Sequence, residues 1–423
     1  TVRHLLSHTS GLRDWSNLVA DQGYPRGTRV TSQADLIDII VRQKALNYPV
    51  GDYYSYTNSG FALLTVIVER VSGLPFARFS SERVFRPAGM ADTRWRDDFT
   101  TLVPRRAQAY ARRSDGWHLD MPFEQVHGPG GLLTTVGDWL KWNDALDKRT
   151  FGAVSDSLIS QATLTSGRKI PYAMGMINTT YRGTTEWSHS GSTAGYSTYL
   201  ARFPKQALSV AVLCNAAGAA AGTYTHQLAD ALIPDLAPPI TWDTTVADPG
   251  RIARFAGVYR DDRTHDVSEL FIDLGQLRIR GGAVLRALRD GDFLMGAAAR
   301  VRVNAAADGM PMGLRILASD GDTLTWTYAA SARPQPTEAQ LNAFIGRWYQ
   351  PEIDATWTVR VEKGALVLEQ RPGTSVTLMA AYTDAFEAGA YGTVWFTRDK
   401  KGAVTALHLG AGRVWDLVFV RVR

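Results

Sequence analysis

The sequence predicts an α+β fold, in which an antiparallel sheet with flanking helices is followed by two small antiparallel β-barrel domains. Three observations predict it. Residues 1–235 combine helical apolar periodicity with a later series of short alternating segments. A proline-rich stretch without periodicity then interrupts the chain. Beyond it, short alternating segments recur between glycine and aspartate turns, and long helical patterns are absent.

Composition narrows the class of protein. The chain has 423 residues, 45% hydrophobic and 21% charged, which is ordinary for a globular protein and excludes disorder, collagen and coiled coil as the main architecture. The net charge of +5 comes mainly from scattered arginines, so nucleic acid is not predicted as a partner. The longest apolar stretch, residues 60–68, is too short to span a membrane. Cys214 is the single cysteine, which forbids an intrachain disulfide; its apolar surroundings predict a buried strand thiol, and no metal or cofactor is predicted.

Four segments of the first 235 residues have helical spacing or helical end signals. Ser32 is placed to cap the first of them. The second is apolar nearly all round, which is typical of a helix inside a protein core. The fourth is expected to pack on the sheet. The predicted helices span residues 32–44, 58–71, 137–147 and 223–232.

The sheet is predicted from a change of period. From residue 172 onward the apolar residues alternate, and short turns separate the alternating runs. Such a series is typical of an antiparallel sheet. The predicted strands span residues 172–177, 185–189, 196–203 and 208–214.

The last part of the sequence repeats itself. FAGVY at 255–259 aligns with FIGRW at 344–348, an offset of 89 residues, and Phe293 aligns with Phe386. Two tandem β-domains follow from this, each closed or nearly closed to hide its edge strands. No titratable cluster marks either one, so we interpret them as structural or dimerising modules, and a homodimer is one hypothesis. The predicted division is a first domain at 1–235, a linker at 236–246, and barrels at 247–337 and 338–423.

Four motifs of the first domain are candidates for chemistry, and each has a structural alternative. YTN at 56–58 offers a tyrosine, or simply a helix cap. HSGS at 189–192 offers a histidine and a glycine that lets a ligand approach, or a structural strand histidine. The glycine loop at 128–131 is by itself only a turn. His4 and His8 have the i,i+4 spacing of zinc ligands, but the glutamate of HExxH is missing, which favours capping and packing roles.

Taken together, these motifs resemble the serine β-lactamase-related, penicillin-binding-protein-like superfamily, which includes class C β-lactamases, DD-peptidases, esterases and D-stereospecific aminopeptidases. The resemblance covers residues 1–235 and implies the β-lactamase/transpeptidase-like fold. The two β-domains resemble the layout of three-domain D-aminopeptidases. The matching segments are RHLLSHTSGL (3–12), YTN (56–58), FRPAGMADT (85–93), GPGGLLTT (128–135) and HSGS (189–192).

The resemblance implies a role for each matching residue. Tyr56 is the implied general base, and Asn58 orients the catalytic lysine and binds the substrate amide. His189 replaces the lysine of the family's K-T-G motif and is expected to place a donor near Tyr56. The backbone N–H of Ser192 is one half of the implied oxyanion hole. The implied substrate-binding residues are Ser190, Gly191, Gly130 and Gly131.

The family's nucleophile is the serine of an S-x-x-K motif that precedes the RHLLSHTSG-like segment, and no such motif is found there. The chain opens without Met and inside an apolar pattern, so we expect an N-terminal truncation, with the nucleophile and its lysine upstream of Thr1. The sequence SGRK at 166–169 fits S-x-x-K but lies after Tyr56, and Gly167 predicts a turn there. We therefore interpret it as a chance match.

The predicted function is hydrolysis of amide or ester bonds through an acyl-enzyme. Histidine in place of lysine weakens the permanent positive charge of the site, which favours D-aminopeptidase-like chemistry on small peptides, amides or esters. Esterase activity, β-lactamase or DD-carboxypeptidase activity, and a non-catalytic binding protein on the same fold are the alternatives. The compartment is periplasmic or secreted if a signal peptide precedes the chain, and cytoplasmic otherwise.

Overall fold

The computed structural model describes residues 1–24, 27–318 and 322–422. The predicted domain ranges also include residues 25–26, 319–321 and 423, which lie outside the described residues. Contacts divide the chain into two compact units. The first is built mainly from Thr1–Ser16 and Tyr48–Ile240; the second contains the chain from Thr241 onward together with two earlier segments, Asn17–Tyr24 and Gln43–Asn47.

The helices that precede residue 235 begin and end at local signals. Thr57 caps the fourth helix by accepting a hydrogen bond from the Ser59 N–H, and Gly73 closes it in the left-handed conformation at φ +70°. Ser32 and Asp35 form a capping box on the third. The helices are α1 (Val2–Leu6), α2 (Trp15–Asp21), α3 (Gln33–Val41), α4 (Asn58–Ser72), α5 (Phe76–Ser80, continued as a π-helix over Ser81–Phe85), α6 (Val136–Asp147), α7 (Ala153–Leu158) and α8 (Ala221–Leu232).

The apolar sequence of helix α4 predicted that core would surround the helix, and this prediction is wrong. Its buried residues are small ones, Ser59, Gly60, Ala62 and Thr65, whereas Val71 is 83% exposed. The reason is close helix contact, because a Cβ on Gly60 would lie 2.9 Å from the Leu5 carbonyl oxygen. The narrow face of α4 is therefore the one that packs.

Among the described residues no single helix has the length and apolarity to cross a membrane. Helix α4 and the stretch Phe76–Phe85 pass that test only when they are taken together, as a pair bent by 81°.

The main sheet of the first unit is antiparallel, as predicted, with strand order β10-β9-β8-β7. The predicted strand at 172–177 is wrong: β7 starts only at Ile177, and Tyr172 forms an isolated bridge to it. Helix α8 packs on the sheet through Ala229. Cys214, at the end of β10, is half-buried rather than buried. The strands are β1 (Thr31–Ser32), β2 (Arg94–Trp95), β3 (Tyr110–Arg113), β4 (Gly116–Leu119), β5 (Glu124–Gln125), β6 (Leu132–Leu133), β7 (Ile177–Tyr181), β8 (Thr184–Thr193), β9 (Tyr196–Phe203) and β10 (Leu208–Cys214).

The second unit contains two closed eight-stranded antiparallel barrels, which confirms the predicted fold class. Helix α9 (Pro249–Ala253) precedes the first barrel and α10 (Glu338–Leu341) the second. The first is formed by β11 (Gly257–Asp261), β12 (Val267–Asp273), β13 (Gln276–Ile279), β14 (Val284–Ala287), β15 (Phe293–Met295), β16 (Ala299–Ala305), β17 (Pro311–Leu317) and β18 (Thr323–Ala330). The second is formed by β19 (Gly346–Gln350), β20 (Ala355–Glu362), β21 (Ala365–Arg371), β22 (Thr374–Tyr382), β23 (Ala385–Glu387), β24 (Thr393–Arg398), β25 (Val404–Ala411) and β26 (Val414–Val422).

The repeated Phe-x-Gly-x-aromatic motif occupies equivalent core positions in the two barrels, as predicted. In the first, the buried Tyr259 hydroxyl donates to the Phe255 carbonyl oxygen at 2.9 Å. In the second, Trp348 Nε1 donates to the Phe344 carbonyl oxygen at 3.3 Å. Both aromatic side chains therefore reach back to the phenylalanine four residues earlier and satisfy their single polar group inside an apolar core.

The second aromatic match of the repeat also holds in three dimensions. Phe255 meets Phe293 edge-on, with ring centroids 6.1 Å apart. Phe344 meets Phe386 in the same way at 5.3 Å. Edge-to-face pairs at these distances are favourable beyond the area they bury.

The segment Asn17–Tyr24 joins the second unit through buried polar contacts. Trp357 Nε1 donates to the Asp21 carbonyl oxygen at 2.9 Å, and Gln22 Nε2 donates to the Ile353 carbonyl oxygen at 2.7 Å. The side chain of Asp21 is only 4% exposed, and its Oδ2 atom has no hydrogen-bond partner among the described residues. Burial raises the pKa of this carboxyl well above its ordinary value.

Asp21 is expected to make the stability of the protein pH-dependent. A carboxyl whose pKa is raised by folding contributes stability below its unfolded pKa and loses it as the pH rises through the folded pKa, with a slope of at most about 1.4 kcal/mol per pH unit. Urea unfolding at pH 5, 7 and 9 should therefore show the Asp21→Asn variant gaining on the parent as the pH rises. Asp308→Asn, at an exposed turn, is the control and should follow the parent. Equal pH slopes for Asp21→Asn and parent would contradict the expectation.

Candidate active site

Tyr56 lies next to Thr57, the residue that caps the N-terminus of helix α4. The backbone around it is fixed from behind, because the Thr57 N–H donates to His8 Nδ1 at 3.2 Å and the Ser55 N–H donates to the His8 carbonyl oxygen at 3.0 Å. His8 is fully buried and has a positive φ of 55°. The RHLLSHTSGL segment thus holds the chain that presents Tyr56.

The first turn of α4 is held by the residues that follow the same segment. The Asn58 N–H donates to Asp14 Oδ2 at 2.7 Å, and the Ser59 hydroxyl donates to the Arg13 carbonyl oxygen at 2.7 Å. An acidic side chain at a helix N-terminus satisfies free N–H groups and complements the helix dipole. No hydrogen bond of the Asn58 side chain is formed within the described part of the chain, and this amide is half-buried.

His189 to Ser192 form one edge of strand β8. Pairing of β8 with β9 continues to Thr193, opposite Tyr196, but pairing with β7 ends at Ser188. Among the described strands, none pairs with β8 on the β7 side beyond Ser188. Position 191 favours glycine, because a Cβ there would lie 2.5 Å from Oγ1 of Thr198 on the neighbouring strand β9. An unpaired strand edge offers backbone groups to an extended substrate.

Packing brings the two principal motifs together. The Tyr56 and His189 rings have centroids 6.1 Å apart, and His8 packs on Tyr56 at 4.1 Å. Tyr172 is 6.1 Å from Tyr56 and edge-on to it, and Tyr54 is 5.7 Å from Tyr172. We call these five residues the site cluster. The predicted proximity of Tyr56 and His189 is confirmed.

The hydrogen bonds of His189 determine which ring nitrogen carries the proton. His189 Nδ1 is 2.6 Å from the Ser190 carbonyl oxygen, and a carbonyl oxygen only accepts, so Nδ1 must be the protonated nitrogen. Nε2 is 3.0 Å from the Tyr172 hydroxyl and therefore accepts from it in the neutral ring. Burial lowers the pKa of His189, although its bond to Ser190 acts in the opposite direction, so the neutral ring is favoured.

This geometry corrects the expected role of His189. We expected the ring to place a donor near Tyr56, but its one proton is directed to the Ser190 carbonyl oxygen and its other nitrogen is occupied by Tyr172. The physical reason is that a neutral imidazole has only one N–H. His189 in this state has no further proton for a substrate.

Sequence reasoning missed Tyr172. Its side chain is 3% exposed, and its pKa is raised by burial and further by Tyr56 and Tyr54, so the phenol stays protonated and donates. The local sequence carries no signal for this role, because residue 172 only starts an alternating segment. Its contact with His189 depends on how the chain turns before β7.

The glycine loop is explained in part by packing. Gly131 has φ +80°, and a Cβ on it would lie 2.4 Å from the Val126 carbonyl oxygen. A Cβ on Gly130 would have no atom within 4 Å. Ser190 and Ser192 are exposed on β8. No contact among the described residues links either glycine with Tyr56 or His189. The substrate-binding roles of Gly130, Gly131, Ser190 and Gly191 stay predictions, as does the oxyanion-hole role of Ser192.

The chance S-x-x-K match is a turn, as predicted. The Leu164 N–H donates to the Arg168 carbonyl oxygen at 2.9 Å, Gly167 has φ +82°, and Ser166 is exposed. His4 and His8 do not share a helical face, because α1 ends at Leu6. Within residues 1–24, 27–318 and 322–422, no group of three or more His, Cys, Asp or Glu side chains is arranged to hold a metal ion.

Comparison with known proteins identifies the family. The sequence profile of the family described as Beta-lactamase matches residues 1–233, more than half of the chain. The chain belongs to the Beta-lactamase family. Penicillin-binding protein 4* of Bacillus subtilis is 30% identical over 223 residues, which are 48% of this chain and 48% of that protein.

D-aminopeptidases resemble this member of the Beta-lactamase family over its whole length. The D-aminopeptidase of Cereibacter sphaeroides strain KD131 is 25% identical over 452 residues, covering 100% of this chain and 81% of that protein. This layout agrees with the predicted resemblance. Among solved structures, the penicillin binding protein from Bacillus halodurans is 26% identical, with a TM-score of 0.47 over 55% of this chain and 72% of that one. Measured against penicillin-binding protein 4* of Bacillus subtilis, the chain spans about half of that protein's length.

Proposed function

We propose that this protein is a serine hydrolase that cleaves the amide bond after an N-terminal D-amino acid, through an acyl-enzyme. The observation that carries the proposal is the hydrogen bonding of His189, which engages both ring nitrogens, while burial lowers the pKa of the ring and favours its neutral form. The uncharged ring of His189 supplies no positive charge that would hold a substrate carboxylate. Substrates without a carboxylate at that position are therefore favoured over penicillins and peptide C-termini. The likeness to D-aminopeptidases over the whole chain supports the same substrate class.

The proposed chemistry starts with a serine of the family's S-x-x-K motif, which the 423 residues do not supply at the family's position. Tyr56 accepts the hydroxyl proton, directly or through the lysine of that motif, as the serine oxygen attacks the substrate carbonyl. The Ser192 N–H stabilises the oxyanion. The tetrahedral intermediate expels the amine, which takes the proton back, and water then hydrolyses the ester by the same route. The unpaired edge of β8 holds the substrate backbone.

The proposal is tested with two proteins and one reactive probe. The 423-residue chain should not be labelled by a fluorophosphonate, because Ser166 lies in an exposed turn. A longer form of the protein whose added residues include an S-x-x-K segment should be labelled at that serine and should cleave D-alanine p-nitroanilide faster than the L-isomer. Ser166→Ala is the matched control and should change nothing. Labelling of the short chain at Ser166, or faster hydrolysis of benzylpenicillin than of the D-anilide by the long form, would overturn the proposal.

An ester-cleaving enzyme is the second candidate, favoured by the same neutral site, because an ester also needs no carboxylate for recognition. Comparison of a D-alanine ester with a simple acetate ester in the long form separates the two. A preference for the acetate ester would make the protein an esterase.

A further inference from the structure

We infer that Tyr172 is a positioning residue that sets the substrate specificity of the site by holding His189 as the neutral, Nδ1-protonated tautomer. The inference rests on the proposed function and deepens it. Two hydrogen bonds carry it: Tyr172 hydroxyl to His189 Nε2 at 3.0 Å, and His189 Nδ1 to the Ser190 carbonyl oxygen at 2.6 Å. The bond to Ser190 excludes the other neutral tautomer, because the carbonyl oxygen cannot donate to Nδ1, and Nε2 is then the acceptor for the Tyr172 hydroxyl.

While Nε2 of His189 carries no proton, Tyr172 can act only as the donor of this pair. A phenol has one proton, and the burial that surrounds this one disfavours the phenolate. Since a protonated imidazolium has no lone pair at Nε2, protonation of His189 would require the Tyr172 oxygen to accept from Nε2–H. The buried phenol proton would then have no acceptor, because among the described residues the Tyr172 hydroxyl bonds to His189 alone. The tyrosine hydroxyl thus stabilises the uncharged ring specifically.

Among the described residues, no carboxylate acts on the pKa of His189 to favour the charged ring. Its titratable ring neighbours are Tyr56 and Tyr172. Glu186 and Ser188 alternate with His189 along β8 and therefore face the opposite side of the sheet. There Glu186 accepts from Tyr199 at 2.9 Å and contacts His226 Nε2 at 3.0 Å. The one acidic residue of β8 is committed to that network.

The consequence is that the substrate specificity of the site depends on whether the Tyr172 hydroxyl is present. With the Tyr172 hydroxyl present, the strand edge beside Tyr56 carries no charge from His189 and accepts substrates that lack a carboxylate. Without it, Nε2 is free to take up a proton, and the site gains a cation 6.1 Å, by ring centroids, from Tyr56. A single hydroxyl would then separate an amide-selective site from one that attracts carboxylates.

The test uses ¹⁵N-labelled histidine in the intact 423-residue chain and reads the two ring nitrogens of His189 by NMR over pH 4–9. The parent protein should show Nδ1 protonated and Nε2 unprotonated at pH 7. Tyr172→Phe should raise the pKa of His189 by about 0.5–1 unit, the equivalent of one lost neutral hydrogen bond, and should allow Nε2 protonation. Tyr54→Phe removes a hydroxyl from the same site cluster and should leave both readouts unchanged.

Three results would overturn the inference. The first is an Nε2-protonated ring in the parent, which is decisive even if the variant does not fold. The second is an unchanged pKa and tautomer in Tyr172→Phe. The third is an equal change in Tyr54→Phe, which would indicate general loosening. None of these readouts needs catalysis, so they test the inference separately from the proposed function. If the NMR results are as expected but a form of the protein that carries the S-x-x-K segment lacks D-amidase activity, only the proposed function is rejected.

Discussion

Phenylalanine at position 56 is expected to lower the turnover of a form of the protein that carries an S-x-x-K segment by about 10²–10⁴, the usual effect of losing an acid–base group. The structure narrows the choice of base. Tyr172 stays protonated because burial raises its pKa, and His189 is occupied at both nitrogens. Of the two described tyrosines whose rings contact His189, Tyr56 is the one that remains. It lies next to the N-terminus of α4, where the Thr57 N–H bonds to His8. Removal of one oxygen atom should therefore abolish proton transfer without changing packing.

The measurement is kcat for a D-amino acid p-nitroanilide in a form of the protein that carries the S-x-x-K segment. Tyr54→Phe is the matched control, since its ring lies in the same site cluster, and it should keep kcat within about threefold, as expected for a group that transfers no proton. Circular dichroism should be the same for all three proteins. If Tyr56→Phe turned over at the parent rate, Tyr56 would be a packing residue and the base would have to be the lysine of the S-x-x-K segment alone.

Truncating Phe344 to alanine is expected to cost about 3–5 kcal/mol of unfolding free energy. The side chain is 3% exposed, packs edge-on against Phe386 and lies 4.5 Å, by ring centroids, from Phe396. Loss of the ring leaves a cavity that a closed barrel has little freedom to collapse. A barrel of this size has only a modest net stability, so the loss is a large share of it.

Urea unfolding of Phe344→Ala against the parent measures the cost. The adjacent Ile345, which is 41% exposed, supplies the control, and Ile345→Ala should cost far less because its side chain is largely in water already. A similar cost for both variants would show that the burial of Phe344 is not what stabilises the second barrel.

Local sequence determined the elements whose residues interact with near neighbours. Strands β9 and β10 lie at the predicted positions 196–203 and 208–214, because alternation of apolar residues is a property of the strand itself. The barrel repeat was readable for a related reason. Phe-x-Gly-x-aromatic closes a hydrogen bond between residues four apart, so the motif contains both partners of its own contact.

Tertiary structure decided everything that depends on which surfaces meet. The apolar sequence of α4 predicted burial all round, but the close approach of Leu5 to Gly60 selected the small-residue face. The segment containing Gln22 belongs with the second unit through a bond to Ile353, 331 residues away, and no local pattern encodes such a partner. His189 was found from its motif, but the proton on its Nδ1 and the tyrosine on its Nε2 follow from a backbone oxygen and a hydroxyl brought within 3.0 Å by packing. A residue's chemical type is written in the sequence, whereas its charge state is set by the atoms that surround it in space.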